Sequence, residues 1–131
     1  TDQAWRPARF VVQRDASRQR TDYALRRLGN PVAWTDASGR IHLFVVGTGL
    51  GGWAAGRVVH YVQKDAVSNY DDLQFRFEGV LPLSWLWNTS HLVRAMPLAL
   101  QDGGMVLPAY FELGTKYPVA LRFDAQGAHR A

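Results

Sequence analysis

The sequence predicts an all-β fold made of four-stranded antiparallel meander blades. Turn residues recur roughly every ten positions, and the runs between them are rich in Val, Phe, Tyr, Trp and Leu, which favour strands. Four such runs follow one another within about fifty residues, the size of one blade of a β-propeller. With 131 residues and 47% hydrophobic content, the chain can bury one modest core.

The N-terminal part predicts one strand and the single helix of the chain. Residues 9–14 are expected to form the outer strand of a preceding blade. The helix is predicted over 21–29, with Thr21 as its N-cap, Asp22 in its first turn and Gly29 at its end.

Residues 1–27 contain seven arginines and three aspartates, which account for the whole net charge of +4. A nucleic-acid-binding surface usually concentrates its basic residues in a stripe with aromatic residues between them. These arginines are instead spread around the predicted helix. They are interpreted as a solvated surface, and no nucleic-acid partner is predicted.

A complete blade is predicted over residues 31–79. Its first hairpin joins strands at 31–36 and 40–47 through the turn DASG. The glycine-rich loop TGLGGWAAG leads to a third strand at 57–64, and the turn around SNYDD leads to a fourth at 73–79.

Most of a further blade is predicted over residues 95–131, after the link VLPLSWLWNTSHLVR. The hairpins PVAWTDASGRIHLFVVGTG and PLALQDGGMVLPAYFELG share one order of Pro, apolar strand, Asp, Gly, apolar strand and loop Gly, which indicates a radial β-repeat. Closed propellers need at least about four blades. The chain is therefore expected to be a fragment of a longer protein, or to self-associate through exposed blade edges.

Two segments carry a family resemblance: LRRLGNPVAWTDASGRIHLFVVGTGLGGWAAG and NTSHLVRAMPLALQDGGMVLPAYFELG. With GNPV, GGW and LVR…P…DGG…LP.Y in order over residues 23–124, the chain resembles bacterial sialidase-like proteins of the BNR-repeat (Asp-box) superfamily. The resemblance implies about two to three blades of a six-bladed sialidase-type β-propeller. It implies exo-α-sialidase (neuraminidase) members that hydrolyse terminal sialic acids from glycans, and it favours a periplasmic or secreted location.

The stretch SNYDDLQF is compared with the Asp-box pattern Ser-x-Asp-x-Gly-x-Thr-Trp, which closes the turn between the third and fourth strands of a blade. Ser68 and Phe75 take its first and last positions, whereas Tyr70, Asp72 and Gln74 replace the Asp, Gly and Thr. The sequence therefore predicts a degenerate box that keeps the turn and loses the hydrogen-bonding Asp. Its carboxylates are interpreted as ordinary exposed turn residues.

Alternate connections of a meander lie at opposite ends of its strands. The short turns DASG, SNYDD and QDGG are predicted at one end, and the longer loops RRLGNP, TGLGGWAAG, SWLWNTSHLVR and FELGTKYP at the other. The longer loops carry the amides, aromatic rings and arginines that anionic sugars require, so the sequence predicts a glycan-binding site there. The predicted substrate-binding residues are Asn30, Trp53, Asn88, His91 and Arg94. For Trp53, as for Trp85 and Trp87, packing between blades is the alternative.

No catalytic residue is identified, and Tyr110 and Glu112 are the candidates, because their spacing places them on one side of a strand. The resemblance implies a Tyr nucleophile assisted by a carboxylate, an Asp acid and an arginine triad. Tyr110 does not align with that Tyr, and only Arg94 is a candidate for the triad. Glu112 could alternatively be the structural ion-pair partner of Arg94. The chain alone is expected to be inactive, and the full-length protein to be either an enzyme or a non-catalytic carbohydrate-binding or interaction module.

No metal or other cofactor is predicted. The chain has no Cys, and its four histidines lack the spacing of zinc ligands. Ser90 and His91 are adjacent and point oppositely in an extended segment, which makes them a poor nucleophile and base. The glycine-rich loop is not followed by a helix, so it is not a nucleotide site. No apolar run approaches the roughly 20 residues of a membrane helix.

Overall fold

The computed structural model describes residues 7–12, 23–67, 69–84 and 88–130. Within these ranges the fold is all-β, as predicted: nine strands form two antiparallel sheets, and the helical segments are two short 3-10 turns. None of the described helical segments is long and apolar enough to cross a membrane.

The first sheet is a four-stranded meander in which each strand pairs antiparallel with the next. Its central strands are buried along most of their length, as their runs of Val, Phe and Leu predict. The strands are β1 (Arg27–Thr35), β2 (Ile41–Thr48), β3 (Arg57–Gln63) and β4 (Phe75–Val80).

The second sheet continues the same arrangement with an interrupted first strand. Its strands are β5 (His91–Val93), β6 (Leu98–Ala99), β7 (Met105–Phe111), β8 (Tyr117–Phe123) and β9 (His129–Arg130). β5 and β6 pair with the two ends of β7, followed by β8 and β9. The interruption contains Pro97, which has no N–H to donate to a ladder. The sheet begins at residue 91, within the segment predicted as a link.

The predicted helix at 21–29 is wrong over its described part. Residues 23–26 are not helical, and Arg27 already belongs to β1; Thr21 and Asp22 lie outside the described residues. The reason is tertiary: residues 27–29 pair with the end of β2, and Leu25, 1% exposed, packs at Gly47. Ladder hydrogen bonds and burial outweigh a local capping pattern.

The predicted outer strand at 9–14 is likewise not formed over residues 9–12, and residues 13–14 lie outside the described ranges. Val12 instead packs with Tyr23 against the outer face of the first sheet, where the buried residues are Leu25, Val45, Val59 and Tyr61. Apolar packing against this face, rather than pairing with a strand edge, determines how the segment lies.

A second hydrophobic core lies between the two sheets. Phe44 and Val46 of β2 contribute to it from the first sheet, and Met105, Leu107 and Phe123 contribute from the second. Each of these side chains is fully buried. The first sheet is therefore covered by apolar side chains on both faces, as expected of a blade inside a stack of blades.

Antiparallel pairing separates the connections into two groups, as predicted, except that RRLGNP, predicted as a loop, lies within β1 from residue 27 onward. At one end, called the short-turn end, are the turns β1–β2, β3–β4, β6–β7 and β8–β9. At the other, called the long-loop end, are the connections β2–β3, β4–β5 and β7–β8. The two sheets are hydrogen-bonded to each other at both ends. At the short-turn end the N–H of Ala37 donates to the carbonyl of Ala125 (3.1 Å), and at the long-loop end the N–H of His91 donates to the carbonyl of Gly56 (3.1 Å).

The degenerate Asp-box lies between β3 and β4, which confirms its predicted position. It contains a 3-10 turn, Tyr70–Asp72. The Asn69 side-chain oxygen accepts a hydrogen bond from the N–H of Asp71 at 3.1 Å, and the Asn69 carbonyl accepts one from Asp72 at 3.0 Å. Asn69 thus forms the Asx turn one position before Tyr70, where the motif has its Asp.

Candidate functional site

A pocket of about 360 Å³ opens at the long-loop end, between the start of β1 and the glycine-rich β2–β3 loop. Its lining consists of Arg26, Arg27, Thr48, Trp53 and the loop residues 49–52. All of the described lining residues come from the start of β1, the end of β2 and the β2–β3 loop, so they belong to the first sheet.

Glycines place the Trp53 ring in this pocket. Gly51 and Gly52 have positive φ angles of 99° and 60°, which only glycine adopts without strain, and they start the 3-10 turn that carries Trp53. The ring then lies against β1, where a Cβ on Gly29 would be 2.9 Å from its Cη2. Because Trp53 remains 49% exposed, part of its ring is free to contact a ligand.

Two arginines form the charged wall of the pocket. The N–H of Arg26 donates to the carbonyl of Thr48 at 2.7 Å, and Arg27 is the first residue of β1. Both side chains are exposed, and within the described ranges neither forms an ion pair. Two cations that form no ion pair with any described residue, beside an aromatic ring, suit a carboxylate-bearing ligand.

Sequence reasoning counted both arginines in the predicted helix and again in the loop RRLGNP, and did not select them as site residues. The motif that carried the resemblance, LRRLGNPV, contains them, so the signal was present in the sequence. Their position beside the β2–β3 loop depends on β1 beginning at Arg27, which the sequence pattern does not reveal.

Asn30 lies close to this pocket but does not line it. It occupies a bulge of β1, where the pairing with β2 shifts between Gly29 and Val32, and its φ is 48°. Asn tolerates this left-handed conformation better than most residues. Its side chain is half-buried.

Asn88 lies outside the pocket lining and holds its own loop together. Its side-chain oxygen accepts hydrogen bonds from the N–H groups of Leu83 (2.8 Å) and Ser84 (3.3 Å), and its amide nitrogen donates to the carbonyl of Leu81 (2.8 Å). Three of its hydrogen-bonding positions are thus used inside the protein. Trp85 and Trp87, in the same link, lie outside the described residues.

His91 is buried and also lies outside the pocket lining. Its Nδ1 lies 3.0 Å from the carbonyl of Thr89, so Nδ1 carries the proton, and its ring packs edge-on against Phe111. Burial lowers the pKa of His91 from its ordinary value. The neighbouring Ser90 hydroxyl donates to the carbonyl of Ala54 at 2.5 Å, which ties the link to the loop that carries Trp53.

The Arg94–Glu112 ion pair considered as an alternative is not formed. Glu112 pairs with Lys116 at 2.8 Å, because the β7–β8 loop returns Lys116 to it. Arg94 is exposed, and Tyr110 is half-buried against the inter-sheet core. Of the sequence-predicted site residues, the structure brings Trp53 alone into the pocket lining.

A buried polar cluster lies at the short-turn end, where no site was predicted. Asp36 is 5% exposed, and its Oδ1 accepts hydrogen bonds from the N–H and hydroxyl of Ser38 (2.9 and 2.6 Å) and the N–H of Arg40 (2.9 Å). Its Oδ2 accepts from Arg40 Nε at 3.1 Å and lies 3.2 Å from Nε2 of His42. Burial alone would raise the pKa of Asp36, but these hydrogen bonds outweigh it and hold the pKa well below its usual range.

The cluster continues to a second histidine: His42 Nδ1 lies 2.9 Å from His60 Nε2. Since a carboxylate only accepts, Nε2 of His42 carries the proton, and its Nδ1 accepts from Nε2–H of neutral His60. Burial is the main cause that lowers the pKa of His60 to about 3, with the charges of His42, Arg76 and His129 adding to it. Burial also lowers the pKa of His42, against the opposing effect of Asp36.

A second pocket, of about 220 Å³, is lined by both histidines together with Arg40, Arg76, Glu78 and residues 126–128. Because a general base works best with a pKa near the operating pH, neutral His60 is poorly matched to that role. Among the described residues, no group of three or more His, Asp or Glu side chains could hold a metal ion. The histidines come from different strands, so no spacing in the sequence reveals that they meet.

Comparisons with known proteins give one match. A family model described as a BNR repeat-like domain matches residues 1–130. No curated protein and no solved structure matches the chain. The family match spans both sheets and both pockets.

Proposed function

Because the chain belongs to the BNR repeat-like domain family, we propose that it forms part of the glycan-binding face of a sialidase-like β-propeller. The observation that carries this proposal is the pocket at the long-loop end, whose lining includes the half-exposed Trp53 together with Arg26 and Arg27. The ring offers a surface for the apolar face of a sugar, and the arginines offer planar donors for a carboxylate. A sugar that carries a carboxylate, such as a terminal sialic acid, combines both features.

The proposed activity of the full-length protein is hydrolysis of terminal sialic acids from glycans. The described lining of the pocket contains no carboxylate and no Tyr that could act as acid or nucleophile. Those groups would come from other blades, with Tyr110 and Glu112 as the candidates in this chain. The 131-residue chain is therefore expected to bind without catalysing.

A non-catalytic carbohydrate-binding module is the second candidate function. The same observation favours it: the pocket has recognition groups and, in the part of the chain that the structure describes, no catalytic pair. Both candidates place the glycan at the long-loop end and differ only in the chemistry.

Neutralising the arginine wall is expected to weaken binding of an acidic sugar. The double variant Arg26→Gln with Arg27→Gln should raise the Kd for sialyllactose about tenfold or more, since each charge-assisted hydrogen bond contributes about 1.5–3 kcal/mol. NMR titration measures this, with neutral lactose as the comparison ligand. Arg122→Gln, an exposed arginine at the short-turn end, is the matched control. Unchanged binding in the double variant, or a loss on Arg94→Gln instead, would contradict a site in this pocket.

Hydrolysis separates the two candidate functions. With a fluorogenic sialoside, the full-length protein is expected to release the fluorophore and the 131-residue chain is not. Binding on a glycan array without release by the full-length protein would favour the carbohydrate-binding module. Release by the 131-residue chain would show that its own residues supply the acid and the nucleophile.

A further inference from the structure

The β8–β9 turn, residues 124–128, lies directly on the buried cluster of the other sheet. A Cβ on Gly127 would lie 2.5 Å from Nε2 of the His42 ring and closer still to its Cε1, so the turn backbone is in contact with that ring. The hydrogen bond from Ala37 to Ala125 closes the same contact. His42 is therefore covered by the second sheet.

His60 is covered in the same way. Its ring stacks on Phe44 with centroids 4.5 Å apart, and Phe123 of β8 packs against both rings, at 6.1 Å from His60 and 5.1 Å from Phe44. We call the contact of these two histidines with β8 and residues 124–128 the histidine junction. It joins the two sheets at the short-turn end.

An added proton is disfavoured in the closed junction, because burial opposes a charged imidazole there and the attraction of Asp36 for a charged His42 only partly offsets it. The negative charge of Asp36 is already matched by Arg40, whose Nη2 lies 3.1 Å from Oδ2. A first proton on the histidine pair would be a buried cation between the sheets, and a second would leave two N–H groups facing each other across 2.9 Å. The charged and titratable groups around the pair are Asp36, Arg40, Arg76, Glu78 and His129.

Opening the turn lowers this penalty, because residues 126–128 bound the pocket that both rings line and their displacement would widen it to solvent. Displacement of the turn would let water reach the imidazoles, and their protonation would then hold the junction open. The rest of the inter-sheet core, from Val46 to Leu107, lies further from the turn along the strands and need not separate.

We propose that the histidine junction is an acid-sensitive contact, in which protonation of the His42–His60 pair releases the 124–128 turn while the two sheets stay folded. The sign follows from the depressed pKa of His60: about 3 in the closed junction against about 6.5 for an exposed His. The stability of the closed junction relative to the open one is therefore unaffected above pH about 6.5, and it decreases progressively as the pH falls from there toward 3. The contact thus responds in the mildly acidic range in which histidine switches operate.

Amide hydrogen exchange of Ala37 tests the proposal, because its N–H is bonded to Ala125 across the junction. After correction for intrinsic exchange, its protection in the wild-type chain is expected to fall about 30-fold between pH 7.5 and 5.0 from His60 alone. Amides in β2 and β3 should keep their protection. A pH-independent Ala37 amide, or a parallel loss at all amides, would overturn the proposal.

The variant His60→Gln removes the titrating ring and keeps an N–H near the position of Nε2. The fall in protection of the Ala37 amide between pH 7.5 and 5.0 should therefore be at least tenfold smaller than in the wild type. His91→Gln is the matched control, since His91 is equally buried and has a lowered pKa but lies at the long-loop end. An equal loss in His60→Gln and wild type would overturn the proposal. If His60→Gln does not fold, ring-nitrogen NMR of the wild type replaces it: a His60 ring that titrates near pH 6.5 while Ala37 stays protected would be equally decisive against it.

Discussion

Replacing Gly127 with alanine is expected to lower the free energy of unfolding by about 3–5 kcal/mol. Gly127 has a φ of 82°, which is strained for any residue with a Cβ. The new methyl group would also overlap the His42 ring, to which the turn backbone lies closest. His42 cannot move aside, because it is 2% exposed and held by Asp36 and His60.

The variant Gly39→Ala separates the backbone strain from the overlap with the His42 ring. Gly39 occupies the same position in the β1–β2 turn, with a φ of 83°, but a Cβ there would meet nothing within 4 Å. Gly39→Ala should therefore lower the free energy of unfolding only by the backbone strain, about 1–2 kcal/mol. Urea unfolding at pH 7.5 measures both variants. A difference of less than about 1 kcal/mol between them would show that the contact with His42 is not tightly packed.

The meander and the two ends of the sheets could be predicted because they depend on local information. Strand runs broken by turn residues give antiparallel neighbours, and alternation then sorts the connections without any knowledge of packing. Trp53 was placed at the long-loop end for the same reason, as an aromatic residue in a long glycine-rich loop, and it does line a pocket there; its role in binding stays a prediction.

Tertiary information was needed for the rest of the site. The segment before β1 has a good capping pattern for a helix, yet pairing with β2 and burial of Leu25 make it extended, and this is what places Arg26 and Arg27 in the pocket. The contact of His42 with His60 depends on strand register, which the sequence does not display.

The structure also shows that the turn at Asp36 has a different counterpart in the second sheet from the one that the sequence suggests. The sequence aligned the turn at Asp36 with that at Asp102. The closer match is Asp124: in both turns Oδ1 accepts hydrogen bonds from the N–H groups two and four residues on, and a positive-φ glycine follows at the third position. Asp102 accepts from Gly104 alone among the backbone N–H groups after it. Because the turns at Asp36 and Asp124 share their backbone hydrogen bonds but differ in their surroundings, substitutions in the two turns can be compared directly.

Replacing Asp36 with asparagine is expected to lower the free energy of unfolding by about 2–4 kcal/mol at pH 7.5. An Asn side chain would place an N–H₂ group either against the donors at Oδ1, from Ser38 and Arg40, or against those at Oδ2, from Arg40 and His42. Either orientation leaves buried donors facing one another. With the N–H₂ group at the Oδ2 position, the acceptor that fixes the proton on Nε2 of His42 is also lost, so the hydrogen bond to His60 loses its defined direction.

Asp124→Asn is the matched control for this variant. It changes the same kind of turn, but Asp124 is more exposed and its second oxygen meets the surface residue Arg130 rather than a buried histidine. Water can hydrogen-bond to the displaced donors around Asp124, so the decrease in the free energy of unfolding should be clearly smaller than for Asp36→Asn. Equal losses in the two variants, measured by urea unfolding, would mean that the turn alone accounts for the role of Asp36. A larger loss of stability at Asp36 is expected from its burial and from its hydrogen bond to His42, which links it to the histidine pair at the contact between the two sheets.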